Sequence, residues 1–192
     1  FKKIIRKNSN FESNIKDEKQ VNIFYNSRFW LLSFPLVVFG FNSGAMIAHI
    51  IPMMQEKNMS LTMAVLVASL FGPGQIIGRI LIMIYGNHKS NIDLFVLCFY
   101  SSLIGIIFLY FVNLDFYLAF LFILFNSGAI GSMAILKPLV QNDIFGKVNF
   151  GNIHGVLAIC FMYGRIAGPW IGSLIWSVGG YNLSLIHISE HT

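Results

Sequence analysis

The sequence predicts an all-α integral membrane protein with five transmembrane helices. The lengths of its apolar runs, the scarcity of charge and the placement of what charge there is carry that prediction. Hydrophobic residues make up 56% of the 192-residue chain and charged residues 11%, with a mean hydropathy of +0.69, whereas a water-soluble domain carries roughly a quarter charged residues. Five apolar runs follow one another at about 29–54, 61–85, 92–112, 116–136 and 150–176. Each is near the ~20 residues that cross ~30 Å of hydrocarbon as a helix. A soluble core helix imitates one such run, hardly five in succession.

Residues 1–27 are polar and mixed in charge, with Lys2, Lys3, Arg6, Lys7, Lys16 and Lys19 against Glu12, Asp17 and Glu18. They read as a hydrophilic cytoplasmic linker, without the basic-then-apolar pattern of a signal peptide, and the chain reads as an excerpt from a longer protein. Seven of the thirteen Lys and Arg fall in the first 28 residues. The net charge of +5 is therefore a topology signal rather than a nucleic-acid footprint, and no nucleic-acid partner is expected. Segments 87–91 and 137–149 add Lys89, Lys137 and Lys147 on the linker side; 55–60 holds Lys57 alone and 113–115 holds no basic residue. This excess places the linker side in the cytoplasm, so the first span runs from inside to outside. The ending at 182–192, NLSLIHISEHT, is too short and polar to cross back. It reads as a truncated or non-native tail, with a sixth span expected after Gly180.

The second run carries a break, Gly72-Pro73-Gly74, at its middle. A helix interrupted at that depth is tolerated where its freed backbone groups meet protein or a water-filled cavity. Close packing in lipid comes from small residues. They recur every fourth position at Gly40, Gly44 and Ala48, at Ala64, Ala68 and Gly72, at Gly74 and Gly78, at Gly128 and Ser132, and at Gly164, Gly168 and Gly172. The third run has only Ser101 and Gly105 at that spacing, which predicts spans one, two, four and five packed inside and the third facing lipid.

Asn42, Ser43, Gln75, Asn126, Ser127 and Arg165 all lie within about three residues of the centres of their runs, some 5 Å from the midplane at 1.5 Å per residue. A polar layer shared by four helices suits a solute site; hydrogen bonding from helix to helix is the plainer use of the neutral members. Arg165 is the sharpest of them. A guanidinium at that depth costs several kcal/mol and normally faces the interior, so its partner is an anionic substrate, an acid elsewhere in the protein, or carbonyl dipoles and water. Arg79, about 9 Å from its helix end, suits a gating or structural contact on the inner face. His49, toward the outer end of its span, is a candidate for proton coupling, with a hydrogen-bonded interfacial histidine as the alternative. No metal-ligand spacing, nucleophile–base pair or phosphate loop appears, so neither an enzyme nor a cofactor is expected. Asn58-Met59-Ser60 matches a glycosylation acceptor on a loop short enough that it is expected to go unused.

The stretches FWLLSFPLVVFGFNSGAMIAHIIPMMQEKNMS, LFGPGQIIGRILIMIYGNHKSN and GNIHGVLAICFMYGRIAGPWIGSLIW resemble helices seven, eight and eleven of major facilitator superfamily transporters. The resemblance implies that 28–181 is five of the six helices of the C-terminal half of a twelve-helix carrier, with a central cavity and alternating access. It implies a six-helix N-terminal half as partner, a small-molecule solute as cargo, and the bilayer as solvent. Gating or structural roles would fall to Gly72, Pro73, Gly74, Gly78, Arg79, Gly164 and Gly168. The inner turn Tyr85-Gly86-Asn87-His88-Lys89 departs from the family pattern in having no acid. Secondary transport of a small solute, an organic anion in the reading that Arg165 suggests, is the expected function. A non-transporting receptor or assembly subunit of the same architecture is the alternative.

Overall fold

The computed structural model describes residues 23–86, 89–113, 115–147 and 149–179. They are helical, with no strand among them, and five spans are long and apolar enough to cross a membrane. The linker at 1–22, the turn residues 87–88, the tail at 182–192 and the place of a sixth span lie outside the described residues.

The described residues divide into two units between Leu31 and Leu32. In the first, a 3-10 turn at Ile23–Tyr25 precedes the start of helix α1, Ser27–Glu56. There the Trp30 indole donates to the Phe24 carbonyl at 2.9 Å, and Phe29 packs edge-on against Phe24 and Trp30.

In the second unit, α1 is followed by α2 (Leu61–Ser69), α3 (Phe71–Tyr85), α4 (Asn91–Phe111), α5 (Tyr117–Phe145) and α6 (Phe150–Gly179). The second span is thus two helices. Ser60 starts α2 by accepting from the Met63 amide, and the break falls at Leu70, ahead of the glycines. Proline acts backwards along a helix: Pro73 has no N–H for the carbonyl four residues earlier, that of Ser69, and its ring crowds that carbonyl. The Ser69 hydroxyl turns onto the Leu66 carbonyl at 2.7 Å, and the Gly74 amide resumes the ladder on Leu70 at 2.9 Å. Helix α4 begins at Ser90, whose hydroxyl accepts from the Asp93 amide, and Asp93 suits the positive end of that helix. Helix α5 ends at Gly146, where φ is 71° and ψ is −165°, a conformation open to glycine because it has no Cβ.

Two expectations need correction. The fourth helix does not stop near residue 136; it continues to Phe145, so Lys137 is a helical residue rather than a loop residue. Its last turns look polar in sequence, but Val140 and Gln141 are buried there. The third span does not stand apart. Helix α4 packs along α5 for most of its length, and Leu94, Phe95, Cys98, Ser102 and Gly105 are its buried face.

Glycines bring the helices into backbone contact. Cβ atoms at Gly40 and Gly44 would strike the carbonyls of Phe161 and Arg165 on α6, and ones at Gly164 and Gly168 would strike those of Val37 and Phe41 on α1. The same holds between α3 and α5, where Gly74 faces the Ser127 hydroxyl, Gly78 the Gly128 carbonyl and Gly131 the Gln75 carbonyl. Toward one end of the bundle, Met46, Ile50 and Met54 of α1, Ala64 and Val67 of α2, and Ala119, Phe122 and Ile123 of α5 make an apolar cluster.

Gly44→Leu forces α1 off α6 because the obstacle is backbone, and overpacking of this kind costs about 1–3 kcal/mol. A lowered thermal unfolding temperature in detergent is the expected result. Gly72→Ala, at an open position where nothing lies within 4 Å, is expected to be neutral or to stabilise by up to about 1 kcal/mol through helix propensity. Equal unfolding temperatures for the two variants would contradict this packing.

Candidate functional site

Of the polar layer, the structure joins two members through a residue outside it. Asn42 on α1 and Asn126 on α5 both donate, at 2.9 and 3.2 Å, to the Ser102 hydroxyl of α4. One hydroxyl oxygen has two lone pairs, so it can accept both amides. Ser102 and Asn126 are buried, and Gly105, one turn along α4, lets the Asn126 backbone approach. This is a three-helix polar knot at the depth expected for a solute site, and it serves helix association. Ser127 is also taken up structurally: its hydroxyl bonds the Ile123 carbonyl of its own helix, beneath Gly74. Ser43 Oγ and Asn126 Oδ1 are buried without a hydrogen-bond partner. Gln75 is half-buried on α3, and no hydrogen bond among the described residues ties it to the knot. Ser132 adds a cross-tie, its hydroxyl reaching the Gly78 carbonyl at 3.0 Å.

His49 lies against α6, with Nε2 2.9 Å from the Pro169 carbonyl. A carbonyl only accepts, so that nitrogen carries the proton. The contact uses a ring nitrogen to bind α1 to α6. Arg79 is exposed on α3. Gly72 and Pro73 are exposed beside the break, whereas Gly74, Gly78, Gly164 and Gly168 are buried in the helix contacts.

Arg165 is exposed on α6, while its own backbone is pressed against Gly44 of α1. That places it beside the level of Asn42 without joining the knot. A different neighbour matters more. Lys137 of α5 holds its ammonium 3.8 Å from the centre of the Phe161 ring, and Phe161 lies one turn from Arg165 along α6. Four residues further along α5, Gln141 is fully buried; its Nε2 donates to the Phe150 carbonyl at 2.8 Å. Its Oε1 is thereby left to accept from His154 Nδ1, also at 2.8 Å. That fixes the His154 tautomer and leaves Nε2 as the uncommitted ring nitrogen. The His154 ring stacks on Phe150 at 5.7 Å and 7°.

Lys137, Gln141 and His154 border a cavity of about 180 Å³ whose apolar wall includes Leu36, Pro138 and Leu157; Arg165 lies outside its lining, seven residues along α6 from Ala158. Another cavity, of about 390 Å³, is an apolar groove between α1 and α4 that includes Pro35 and Phe99 and offers a solute the Tyr100 hydroxyl alone. Ser102, Lys137, Gln141 and His154 were not legible as site residues from run centres. A helical stripe was available as a signal: His154, Phe161 and Arg165 fall at i, i+7 and i+11 on α6, and Lys137 and Gln141 at i and i+4 on α5.

Comparison with known protein families, with curated proteins and with solved structures returns no match.

Ser102→Ala leaves the buried Asn126 amide and the half-buried Asn42 amide without their acceptor, and is expected to destabilise the bundle by about 0.6–1.7 kcal/mol, from the mean to the maximum for interhelical hydrogen bonds in membranes. Ser101→Ala removes one donor to the Phe125 carbonyl and should cost less. Equilibrium unfolding of both variants in mixed micelles checks the order; an equal or reversed order counts against the knot.

Proposed function

We propose that this chain is the C-terminal half of a major facilitator superfamily carrier, which works with a six-helix N-terminal half to move a small organic anion across a membrane by alternating access. The observation that carries the reading is Arg165. Its guanidinium is exposed near the mid-depth layer of α6, and none of the four described carboxylates, Glu56, Asp93, Asp115 and Asp143, is its partner. A cation facing acyl chains at that depth is costly, so its surroundings in the membrane are protein, water or an anion. An N-terminal half facing this surface across a wet cavity provides all three.

Two further features support a rocking body. Glycine contacts lock α1 to α6 and α3 to α5, as a rigid half moving against another requires. Leu70 and Phe71, at the break in the second span, pack against the apolar cluster of α1, α2 and α5, partial shelter of the sort such a break needs. The basic excess of the linker side orients this half with the linker in the cytoplasm.

The test is uptake of radiolabelled acetate and succinate by proteoliposomes of the full-length protein, compared across wild type, Arg165→Ala and Arg165→Lys. Arg165→Ala is expected to lower flux at least tenfold, the effect of losing one charge-assisted contact of about 1.5 kcal/mol or more. Arg165→Lys, which keeps charge but loses the bidentate fork, should fall between. Wild-type flux in both variants would remove Arg165 from the site.

A further inference from the structure

We infer that Lys137 is the second cation of an anion site, and that the ligand is a small carboxylate seated between Lys137 and Arg165 with its short apolar part in the cavity that Gln141 and His154 close. The inference deepens the anion reading of Arg165 given above, and its first argument concerns direction. A lysine near a helix end normally extends outward and delivers its ammonium to the interface. Lys137 lies eight residues, about 12 Å, from the end of α5 at Phe145. A helical side chain leans toward its own N-terminus, which here means away from that end. The ammonium accordingly lies over Phe161, whose backbone meets Gly40, two residues from Asn42. It has been carried toward the polar layer rather than out to the headgroups.

The second argument is charge balance. Bringing an ammonium and a guanidinium together in a medium of low dielectric is unfavourable unless a negative charge lies between them. No described carboxylate supplies it: Asp143 lies beyond Lys137 toward the helix end and accepts from Asn91 at 2.8 Å, and Asp93 is exposed at the start of α4. Glu56 and Asp115 lie toward the other end of the bundle, next to the segments 57–60 and 113–116. The Phe161 ring contributes attraction for the ammonium but no countercharge.

The third argument is the shape and chemistry of the cavity. At about 180 Å³, with Leu36, Pro138 and Leu157 on its walls, it admits a few carbon atoms beside one polar group. Gln141 is held rigidly by the Phe150 carbonyl and holds His154 in turn. The polar end of the cavity is thereby fixed in place before any ligand arrives, which lowers the ordering cost of binding. The depth of the Lys137 ammonium argues for a solute carboxylate over a lipid phosphate.

The experiment is calorimetric titration of the full-length protein, in phosphatidylcholine nanodiscs, with sodium acetate and sodium succinate against sodium chloride at matched ionic strength. Saturable binding of at least one carboxylate and none of chloride is expected. Lys137→Gln and Arg165→Gln should each weaken it about tenfold to a hundredfold, and Lys137→Arg should retain most of it. Because Arg165 is exposed, Arg165→Gln keeps the inference testable if Lys137→Gln fails to fold. Undiminished affinity in Lys137→Gln, no carboxylate binding, or a response confined to nanodiscs containing phosphatidylglycerol would each overturn it. Lys137-dependent binding without flux in proteoliposomes would sink the carrier reading and keep this site. Flux with unchanged affinity in Lys137→Gln would do the reverse.

Discussion

Backbone-to-backbone contact at glycine is the constraint on which the rest of this structure depends. In lipid, a leucine gains little by meeting another leucine, because the acyl chain it leaves is equally apolar. What remains is dispersion between closely fitted surfaces and the hydrogen bonds that close approach permits. Gly40, Gly44, Gly164 and Gly168 bring α1 and α6 together until carbonyls occupy the space where Cβ atoms would stand; Gly78 and Gly131 do so for α3 and α5, and Gly74 leaves the same space to the Ser127 hydroxyl. Any side chain at these positions separates the axes. Every hydrogen bond that crosses those pairs depends on the separation staying small.

The polar groups then divide into those that use the approach and those left outside it. Ser132 reaches the Gly78 carbonyl because Gly78 and Gly128 are already in contact, and His49 reaches Pro169 because Gly172 leaves room for its ring. Ser102 does something different: it connects the α1–α6 pair to the α3–α5 pair through Asn42 and Asn126. That hydroxyl adds a polar tie to the apolar cluster of α1, α2 and α5, and together they join the two pairs into one body. In an alternating-access carrier, that body would move as a unit, with the cavity surface on its uncommitted face.

The helical spans were legible because their signal is length and apolarity, and α1, α3, α4 and α6 begin or end within a few residues of the runs that predict them. The end of α5 was not. Lys137, Asn142 and Asp143 look like a loop to a hydropathy reading, which cannot see that Val140 and Gln141 turn inward between them. The break was placed at the glycines, whereas proline disturbs the carbonyl four residues before it. The third span keeps an exposed apolar face, with Ile92, Leu97, Leu103 and Ile107 on it, but its buried side was missed for a related reason. Counting small residues detects backbone contact but not a serine whose hydroxyl serves two amides, nor aromatic packing such as Phe39 on Phe99 at 5.2 Å. Asn42 and Asn126 do meet, through Ser102, yet position along a helix does not give direction around it. Arg165 shares their level and faces elsewhere.

That difference in direction has a physical consequence for how such a bundle can remain receptive to a ligand. If Arg165 or Lys137 were matched by an acid on a neighbouring helix, the pair would satisfy itself, and a solute would have to break it before binding. A pair of cations that no described carboxylate matches would instead raise the energy of an empty site, in proportion to how little water and protein screen it. An arriving anion recovers that energy, so the cost of desolvating the anion is offset by relief of repulsion already present. The cavity beside Lys137 would work to the same end, since Gln141 is fixed by a backbone carbonyl and needs no rearrangement to hold His154. Glycine contacts make the frame stiff enough to keep the two cations from drifting apart. On the proposed reading, stiffness at the backbone and charge beside the cavity would be two sides of one arrangement: a softer bundle would let Lys137 swing outward to the headgroups and would abolish any attraction for an anion there.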